Sequence, residues 1–567
     1  MGVLSFARLW INGFQRPEFS FSDNPIAHHP SFFVRTATFL YLPLFNLGLL
    51  IAPFKLCFDW SMDSIAPITS LLDYRLLMTF AVYCGSAVAL YKNYFATRTP
   101  QLNQTRKRQR SPSPRYDMNA NLIPSSRRNS PVPPEEIADY RILLALCFLV
   151  IPFLPASNLF AYVGFVVAER ILFLPSVGFC LLTAMFYEKV DLQNKKAIFV
   201  VLFLFVVRSL ARNEDWNDEE ALYRSAVNIN PAKAYSNLGN ILTQKKRFSE
   251  AMESYEKALE RRPNMADTHY NMGVLHMDRQ ELSKAIDAYS KAIHFRPSFA
   301  SAHLNLGLTQ WNANLLDEAE KSFRDCGRID GGKMKNLRVV EAAKTGCRYN
   351  LGRLLIARGR IEEAIFVYQE AVELMPSSYD GKASLFNMLG EALFKAGRAE
   401  EAEMWYTKAI DIKGSHVPAH LTLANLRIQQ KDFNEAKKLL LNAVRLEPTN
   451  PSTHLHLGRF RSFLEDWRGA QEAFQTALKL YPNQPDALLG AANAHRQLGN
   501  NAKSEEYLAI LVTIRPDATS FANYGAILHL NRKHDSAEVF YRKALEANPE
   551  DEVTAANLKK LQRVRRK

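Results

Sequence analysis

A period of 34 residues runs through the second part of the chain and leaves it little choice of architecture. Asn237-Leu238-Gly239, Asn271-Met272-Gly273 and Asn305-Leu306-Gly307 stand 34 residues apart, and Ala251, Ala285 and Ala319 each follow their glycine by 12. Tyr255, Tyr289 and Phe323 come next, then Ala258, Ala292 and Cys326, and Pro263 and Pro297 close the first two units. After an 11-residue insertion near residues 331–345 the pattern resumes with Asn350-Leu351-Gly352, Ala364, Tyr368, Ala371 and Pro376. It continues through Gly390/Ala402/Tyr406/Ala409, Ala436/Ala443/Pro448 and Gly458/Ala470/Phe474/Ala477/Pro482, then a degenerate copy ending at Pro516 and a ninth at Gly525/Ala537/Tyr541/Ala544/Pro549. Small residues at fixed places let two helices of one unit approach closely, the aromatic is expected to fill the gap between units, and proline opens the next turn. One such unit cannot bury its own apolar face, so a series of them stacks.

This is the tetratricopeptide-repeat pattern, and it predicts an α-solenoid of about nine repeats over residues 232–549 with a concave groove along one side. Residues 215–231, with Tyr223, Ala226 and Pro231, read as an unpaired second helix that docks the array, and residues 550–567 as a capping helix with a basic tail. Asn237, Asn271, Asn305 and Asn350 occupy one equivalent site per unit. An amide offers both a donor and an acceptor, which suits the backbone of an extended peptide. The same asparagines also fit a purely local role in helix geometry, and the series fades at Met388 and Thr422.

The first 212 residues are of another kind. Uncharged runs cover 36–54, 76–91, 142–168, 171–187 and 197–207, with charges confined to the gaps. About 20 helical residues cross a ~30 Å hydrocarbon core. The first run is long enough alone, the second and fourth are at the short end, and Ser209–Leu210–Ala211 can extend the fifth. The third is broken by Pro152 and Pro155 and reads as a helix, a bend and a segment at the membrane mouth. The pattern predicts a polytopic membrane domain. It has a membrane-proximal segment at 1–35, two spanning helices in 36–91 and about three in 142–211. Residues 92–141 read as a basic, disordered loop, with nine bases and one acid between Lys92 and Pro134 and with Ser111, Ser113 and Ser130 each preceding proline. Such a tract can bind RNA or be phosphorylated, but a solvated loop whose bases fix orientation is the simpler reading. Lys and Arg near membrane ends stay cytosolic. With that loop cytosolic, residues 55–75 and 155–170 fall on the lumenal face, and everything after about residue 212 is lumenal. The sequon Asn103-Gln-Thr105 then lies on the cytosolic side.

Net charge is +14, yet it divides unevenly: +9 over residues 1–212 and +5 over the remainder, where six bases lie in the last nine residues. A uniformly basic nucleic-acid binder is excluded as the simple reading. Residues 1–16, with Arg8 and Arg16 around a very short apolar stretch, are not expected to act as a signal peptide, and Phe6 breaks the myristoylation pattern. Six cysteines in 567 residues make no disulfide framework. Cys326 and Cys347 are able to pair in an oxidising compartment, but Cys326 occupies a small-residue packing slot and a buried free thiol is the expectation. His28-His29 lack companion ligands, so no metal is expected. Phosphate-binding, dinucleotide, zinc-protease and hydrolase motifs are absent from the sequence.

Several strings in the first part are specific: Arg16-Pro-Glu-Phe-Ser, Asp23-Asn24-Pro25, LCFDWSMDSI (56–65), LPASNLF (154–160) and VVAERILFLPSVGF (166–179). Joined to a repeat array, they resemble the transmembrane and tetratricopeptide-repeat-containing (TMTC) proteins of the endoplasmic reticulum, over roughly residues 10–560. The resemblance implies a mainly α chain whose membrane part has the fold of integral-membrane glycosyltransferases. It implies O-mannosylation of cadherin-type domains, with dolichyl phosphate mannose as donor and no bound cofactor. Membrane lipid and lumenal protein or peptide clients are the implied partners, with no nucleic acid. Family members carry several membrane helices ahead of the region matching residues 10–35, and their first lumenal loop holds the acidic pair on which catalysis is thought to depend. The present chain is expected to start after that loop, so its catalytic residues stay unassigned. Asp59 and Asp63 match a later motif and are expected to be polar caps of a helix at the membrane mouth. Arg170, beside Glu169, is expected either to hold the lipid phosphate with its two-pronged guanidinium or to pair with Glu169 or another acid. Two functions stay open: a lumenal O-mannosyltransferase, and a non-catalytic membrane scaffold that holds lumenal proteins through its repeats.

Overall fold

The computed structural model describes residues 24–62, 64–88, 91, 134–158, 162–330 and 337–566. Asp63, the sequon at Asn103 and the Ser-Pro sites of the basic loop lie outside the described residues. The chain is mainly helical. Among the described residues, extended pairing is limited to one antiparallel bridge between Trp60 and Val167. It divides into two compact units, residues 1–297 and 298–567.

The first unit opens with the apolar helix Phe32–Ile51, capped by Ser31, whose hydroxyl accepts from the Val34 amide. Pro43 removes one donor inside this helix, and Asn46 donates back to the Leu42 carbonyl at 2.8 Å. Residues 74–88 are helical, then come Pro134–Val150, Phe173–Lys189 and Leu192–Asp215. The chain turns at residues 151–153 and continues as a short 3-10 turn, Leu154–Ala156, where the prolines predict the bend. Gly178 lets two of these helices touch, because a Cβ there would fall 2.4 Å from the Ala145 carbonyl oxygen and the Leu149 nitrogen. Two helical stretches, Phe32–Ile51 and Glu169–Lys189, are long and apolar enough to cross a membrane. Residues 52–73, where Asp59 stands, are not helical. The expected helix cap at Asp59 is therefore corrected: its Oδ1 accepts from the Ser61 amide at 2.8 Å and closes a turn.

The short helix Glu219–Ala226 follows, with Asp218 capping it through the Ala221 amide, and leads into Pro231–Gln244 and Phe248–Arg261, the first helix pair. Glu220 ties this helix to the turn of that pair, accepting from Lys245 at 2.8 Å, Arg224 at 2.7 Å and Arg247 at 3.0 Å. The Lys245 bond leads in holding its carboxyl down to about 2. Ala266–Asp278 and Leu282–Phe295 complete the second pair.

Seven further pairs make up the second unit, from Ala300–Asn312 with Leu316–Gly327 to Ala518–Leu530 with His534–Ala547, and Glu552–Arg566 closes the chain. In each pair the turn carries one residue in the left-handed region: Lys246, Gln280, Asn314, Gly359, Gly397, Lys431, Glu465, Gly499 and Arg532. The 45-residue step from Asn314 to Gly359 locates the insertion, which enters the long helix Leu337–Ala357 as extra turns at its start. The repeat aromatic lies over the glycine of its own unit. A Cβ on Gly239 would fall 2.4 Å from the Tyr255 ring, and on Gly352 equally close to that of Tyr368. Tyr255 also shares a cluster with Leu275 of the following unit, so it serves both contacts rather than the gap between units alone.

One expectation is overturned here. Cys326 and Cys347 form a disulfide, with Cα atoms 6.2 Å apart, and not a buried free thiol. The Ala-like slot of Cys326 faces the helix that the insertion prolongs, which brings Cys347 within bonding reach.

Candidate functional site

The loops at one end of the apolar helices close around a polar node. Asn24, fully enclosed, donates to Asn158 Oδ1 and to the Val163 carbonyl, both at 3.0 Å. Asn158 accepts the Val163 amide and donates to the Phe165 carbonyl. These asparagines hold the strand-like segment that presents Val167 to Trp60 and aims Glu169 inward. One oxygen of Glu169 accepts from the Cys57 amide and from Trp60 Nε1, at 3.0 Å for the indole. Its other oxygen stands 3.8 Å from the Arg212 guanidinium. Arg212 is 8% exposed, donates to Asp215 at 3.1 Å and to the Ser225 hydroxyl at 3.2 Å, and lies over Trp216. Burial pushes the Cys57 thiol up to about 11, so it stays protonated and inert.

The same loop meets the start of the array. Asn230 donates to the carbonyls of Asp59 (3.2 Å) and Ser61 (3.1 Å), and Lys233 pairs with Asp59 Oδ2 at 2.6 Å and donates to the Ser61 hydroxyl. Tyr223 stands edge-on to Phe58, with ring centroids 4.9 Å apart.

These partners sort the candidate residues. Glu169 pairs with Arg212, 43 positions along the chain, and Arg170 is not its partner. Arg170 is exposed in the 3-10 turn Glu169–Leu172 and, among the described residues, engages no acid. Its guanidinium lies open at the head of the helix Phe173–Lys189. Nearby Arg208 is already committed to the carbonyls of Pro53 and Phe54. Asp59 is committed to its turn and to Lys233. His29 accepts the Ser31 amide and belongs to the helix cap. The sequence did not point to Arg212, Asn230 or Lys233; their only signal was a charge or amide at the edge of an apolar run or of the first repeat.

The groove asparagines do not behave alike. In the first unit Asn237 is half-buried, and Asn271 donates to Asn240 of the preceding repeat at 2.7 Å, an oxygen that also receives the Tyr255 hydroxyl. In the second unit Asn305 lies half-buried on Ala300–Asn312. Asn350 is buried, donates to the Gly346 carbonyl of its own helix and accepts from Arg353. Arg353 in turn lies over Trp311 and Tyr349.

Known proteins resemble this chain along nearly all of its length. Residues 13–87 match the family described as protein O-mannosyl-transferase TMTC, DUF1736, and tetratricopeptide-repeat families match segments including 232–265, 347–415 and 518–551. A human protein named protein O-mannosyl-transferase TMTC2 is 43% identical over 98% of this chain and 70% of its own length. The mouse protein of the same name is 42% identical over 74% of this chain and 53% of its own, so the chain spans about half of that relative. A solved tetratricopeptide-repeat protein from Parabacteroides merdae covers 46% of the chain, and 98% of its own length, at 17% identity with a TM-score of 0.34.

Proposed function

This chain belongs to the TMTC family, and from that premise we propose that it is a multi-pass protein of the endoplasmic-reticulum membrane that acts in O-mannosylation of lumenal proteins. The donor in this reading is dolichyl phosphate mannose, the acceptors are Ser or Thr hydroxyls of cadherin-type domains, and the repeat groove holds the client. The observation that carries it is the 43% identity running through both the apolar part and the repeats of a named O-mannosyl-transferase. Helices that turn large apolar side chains outward, such as Phe80, Phe186 and Phe203, support a membrane-embedded part. The Cys326–Cys347 disulfide supports an oxidising compartment for the array. The Asp59–Lys233 and Asn230 contacts support delivery of a client to the loop node, because they fix the first repeat beside it. Transfer needs a group to bind the departing lipid phosphate and a base to take the hydroxyl proton. Arg170 suits the first task.

A second reading, a non-catalytic scaffold for lumenal proteins, is favoured by one observation. Asp59, Glu169 and Asp215, the acids described at the node, are each already bound to cations or donors and none is free to act as base. The deciding experiment expresses residues 1–567 in cells lacking the related transferases and reads O-mannose on a cadherin-type acceptor by mass spectrometry. Restored mannose that falls with Arg170→Lys supports the transferase. An unmodified acceptor that still co-purifies with the chain supports the scaffold, and neither outcome means that both readings fail. Orientation is checked by sequons: one engineered beside Asp330 is glycosylated if the array is lumenal, and one beside Asn121 is not.

A further inference from the structure

The degenerate eighth repeat encloses a cavity of about 500 Å³ that reaches from the seventh repeat to the ninth. Five helices line it: Pro451–Phe463, Pro485–Gln497 and Ala518–Leu530, with Phe474 from Trp467–Leu480 and Ser504 and Leu508 from Asn501–Ile514. Gly490 occupies the repeat position that holds Asn237, Asn271, Asn305 and Asn350 in the first four units and Asn523 in the ninth. A Cβ there would fall 2.4 Å from the buried Phe474 ring, so that ring takes the place of a side chain and forms part of the cavity wall.

The lining is polar at the rim and positively charged on balance. Asp486 is the one acid of the lining, and it is already bound by Arg459 at 2.6 Å and by Arg515 at 3.2 Å. Arg496 adds a further guanidinium, which donates to Asn493 Oδ1 at 2.8 Å and, among the described residues, meets no carboxylate. Asn523, also in the lining, donates to the Thr519 carbonyl of its own helix. At the bottom lies Ser504, fully buried, whose hydroxyl has no hydrogen-bond partner.

We propose that this cavity is a client subsite selective for an acidic residue: an extended peptide segment lies along Asn493 and Asn523, and its Asp or Glu carboxylate meets Arg496. The proposal rests on the repeat groove holding clients and adds a second station, chemically unlike the amide series of the first four units. A basic or neutral side chain gains nothing at Arg496, whereas a carboxylate gains a charge-assisted, two-pronged contact.

The test uses the full chain in neutral detergent and a fluorescein-labelled peptide, Gly-Ser-Gly-Ser-Glu-Val-Ser-Gly-Ser-Gly, beside its Gln counterpart. The Glu peptide is expected to bind roughly tenfold more tightly by fluorescence anisotropy. Arg496→Gln, an exposed change that leaves the helix intact, is expected to erase that ratio, and Arg496→Lys to keep part of it. Joint Ala replacement of Asn237, Asn271, Asn305 and Asn350 is expected to weaken both peptides while leaving the ratio standing. Equal binding of the two peptides, or a ratio that survives Arg496→Gln, overturns the subsite and leaves the groove reading intact. Binding of neither peptide overturns both, and a preference transferred to anionic lipid vesicles that depends on Arg496 assigns the cavity to headgroups and overturns the peptide reading.

Discussion

The helices of residues 32–215 and the helix pairs of the repeats are held together differently. In the repeats the large side chains go inward: Tyr255, Tyr289, Phe323 and Tyr368 are almost wholly enclosed, and Lys, Arg and Glu cover the outside. The first region has one apolar cluster of its own, around Phe39, Leu42 and Trp60, and it encloses polar groups beside outward phenylalanines. Asn24, Thr38 and Ser61 are enclosed, while Phe199 and Phe203 are 62% and 66% exposed. Burying Asn24 is tolerable because every donor has a partner, and Thr38 likewise accepts the Ile68 amide at 2.9 Å. The difference is one of repetition: the array is held by apolar packing repeated unit by unit, whereas the first region adds to a single apolar cluster around Phe39, Leu42 and Trp60 a few polar nodes, each made once.

A feature made once fails when one residue is lost. Glu169→Ala removes the acceptor of the Cys57 amide and of Trp60 Nε1 and deprives the buried Arg212 of one of its two acids. Breaking such a partly buried node is expected to cost about 3–4 kcal/mol. Detergent-solubilised chain should then lose its first thermal transition while the repeat transition stays in place. A simultaneous shift of both would mean that the two regions do not differ in this way. The disulfide is the array's own unrepeated feature. It closes a loop 21 residues long, so replacing Cys326 and Cys347 by Ala is expected to cost about 3 kcal/mol on the chain-entropy account. The loss should appear in the repeat transition and be matched by adding reductant to the unaltered protein.

Acidification separates the regions differently. Burial holds His416, His456, His495 and His529, all in the second unit, below the ordinary imidazole value of 6.5. The folded array therefore binds fewer protons than the unfolded chain just below that value. Its stability is full above it and falls as pH drops through it. The carboxylates of Glu403, Glu505 and Asp517 are held low instead, so their contribution is lost only in a more acidic window, below the ordinary carboxylate values. The repeat transition should decline between about pH 7 and pH 5, and a His456→Asn variant should decline less steeply. A flat response would show that these imidazoles titrate normally.

What was legible in the sequence follows the same division. Anything that recurs could be read: the register of the small residues, the place of the insertion and the docking helix at Tyr223 each follow from a pattern seen several times. Features made once could not. The Glu169 partner was sought in its neighbour Arg170, because sequence shows adjacency and not the return of the helix Leu192–Asp215 that brings Arg212 across. Asp59 looked like a cap because nothing in its surroundings announces Lys233, which lies in another segment. Cys326 looked like an alanine substitute because the slot it fills is an alanine slot, and only the prolonged helix Leu337–Ala357 reveals its partner. Gly490 disappeared inside a copy read as degenerate, although it is where the buried Phe474 ring takes the place of a side chain beside the cavity.

The smallest expected effect lies where the array is most uniform. Each repeat turn has one left-handed residue, yet glycine fills only three of them, Gly359, Gly397 and Gly499, whereas Lys431 (φ 63°) and Glu465 (φ 58°) hold the same conformation with a Cβ. A left-handed backbone costs a side-chain-bearing residue about 1–2 kcal/mol, and glycine gives part of that back through its freer unfolded chain. Lys431→Gly is therefore expected to raise array stability by roughly 0.5 kcal/mol, and Gly397→Ala to lower it by about 1 kcal/mol. Nothing lies within 4 Å of a Cβ built on Gly397, so packing does not confuse the second result. Chemical denaturation of the repeat transition measures both. If the paired signs come out reversed, the turns do not share one backbone conformation, and the uniformity that sets the array apart from the apolar region is lost with them.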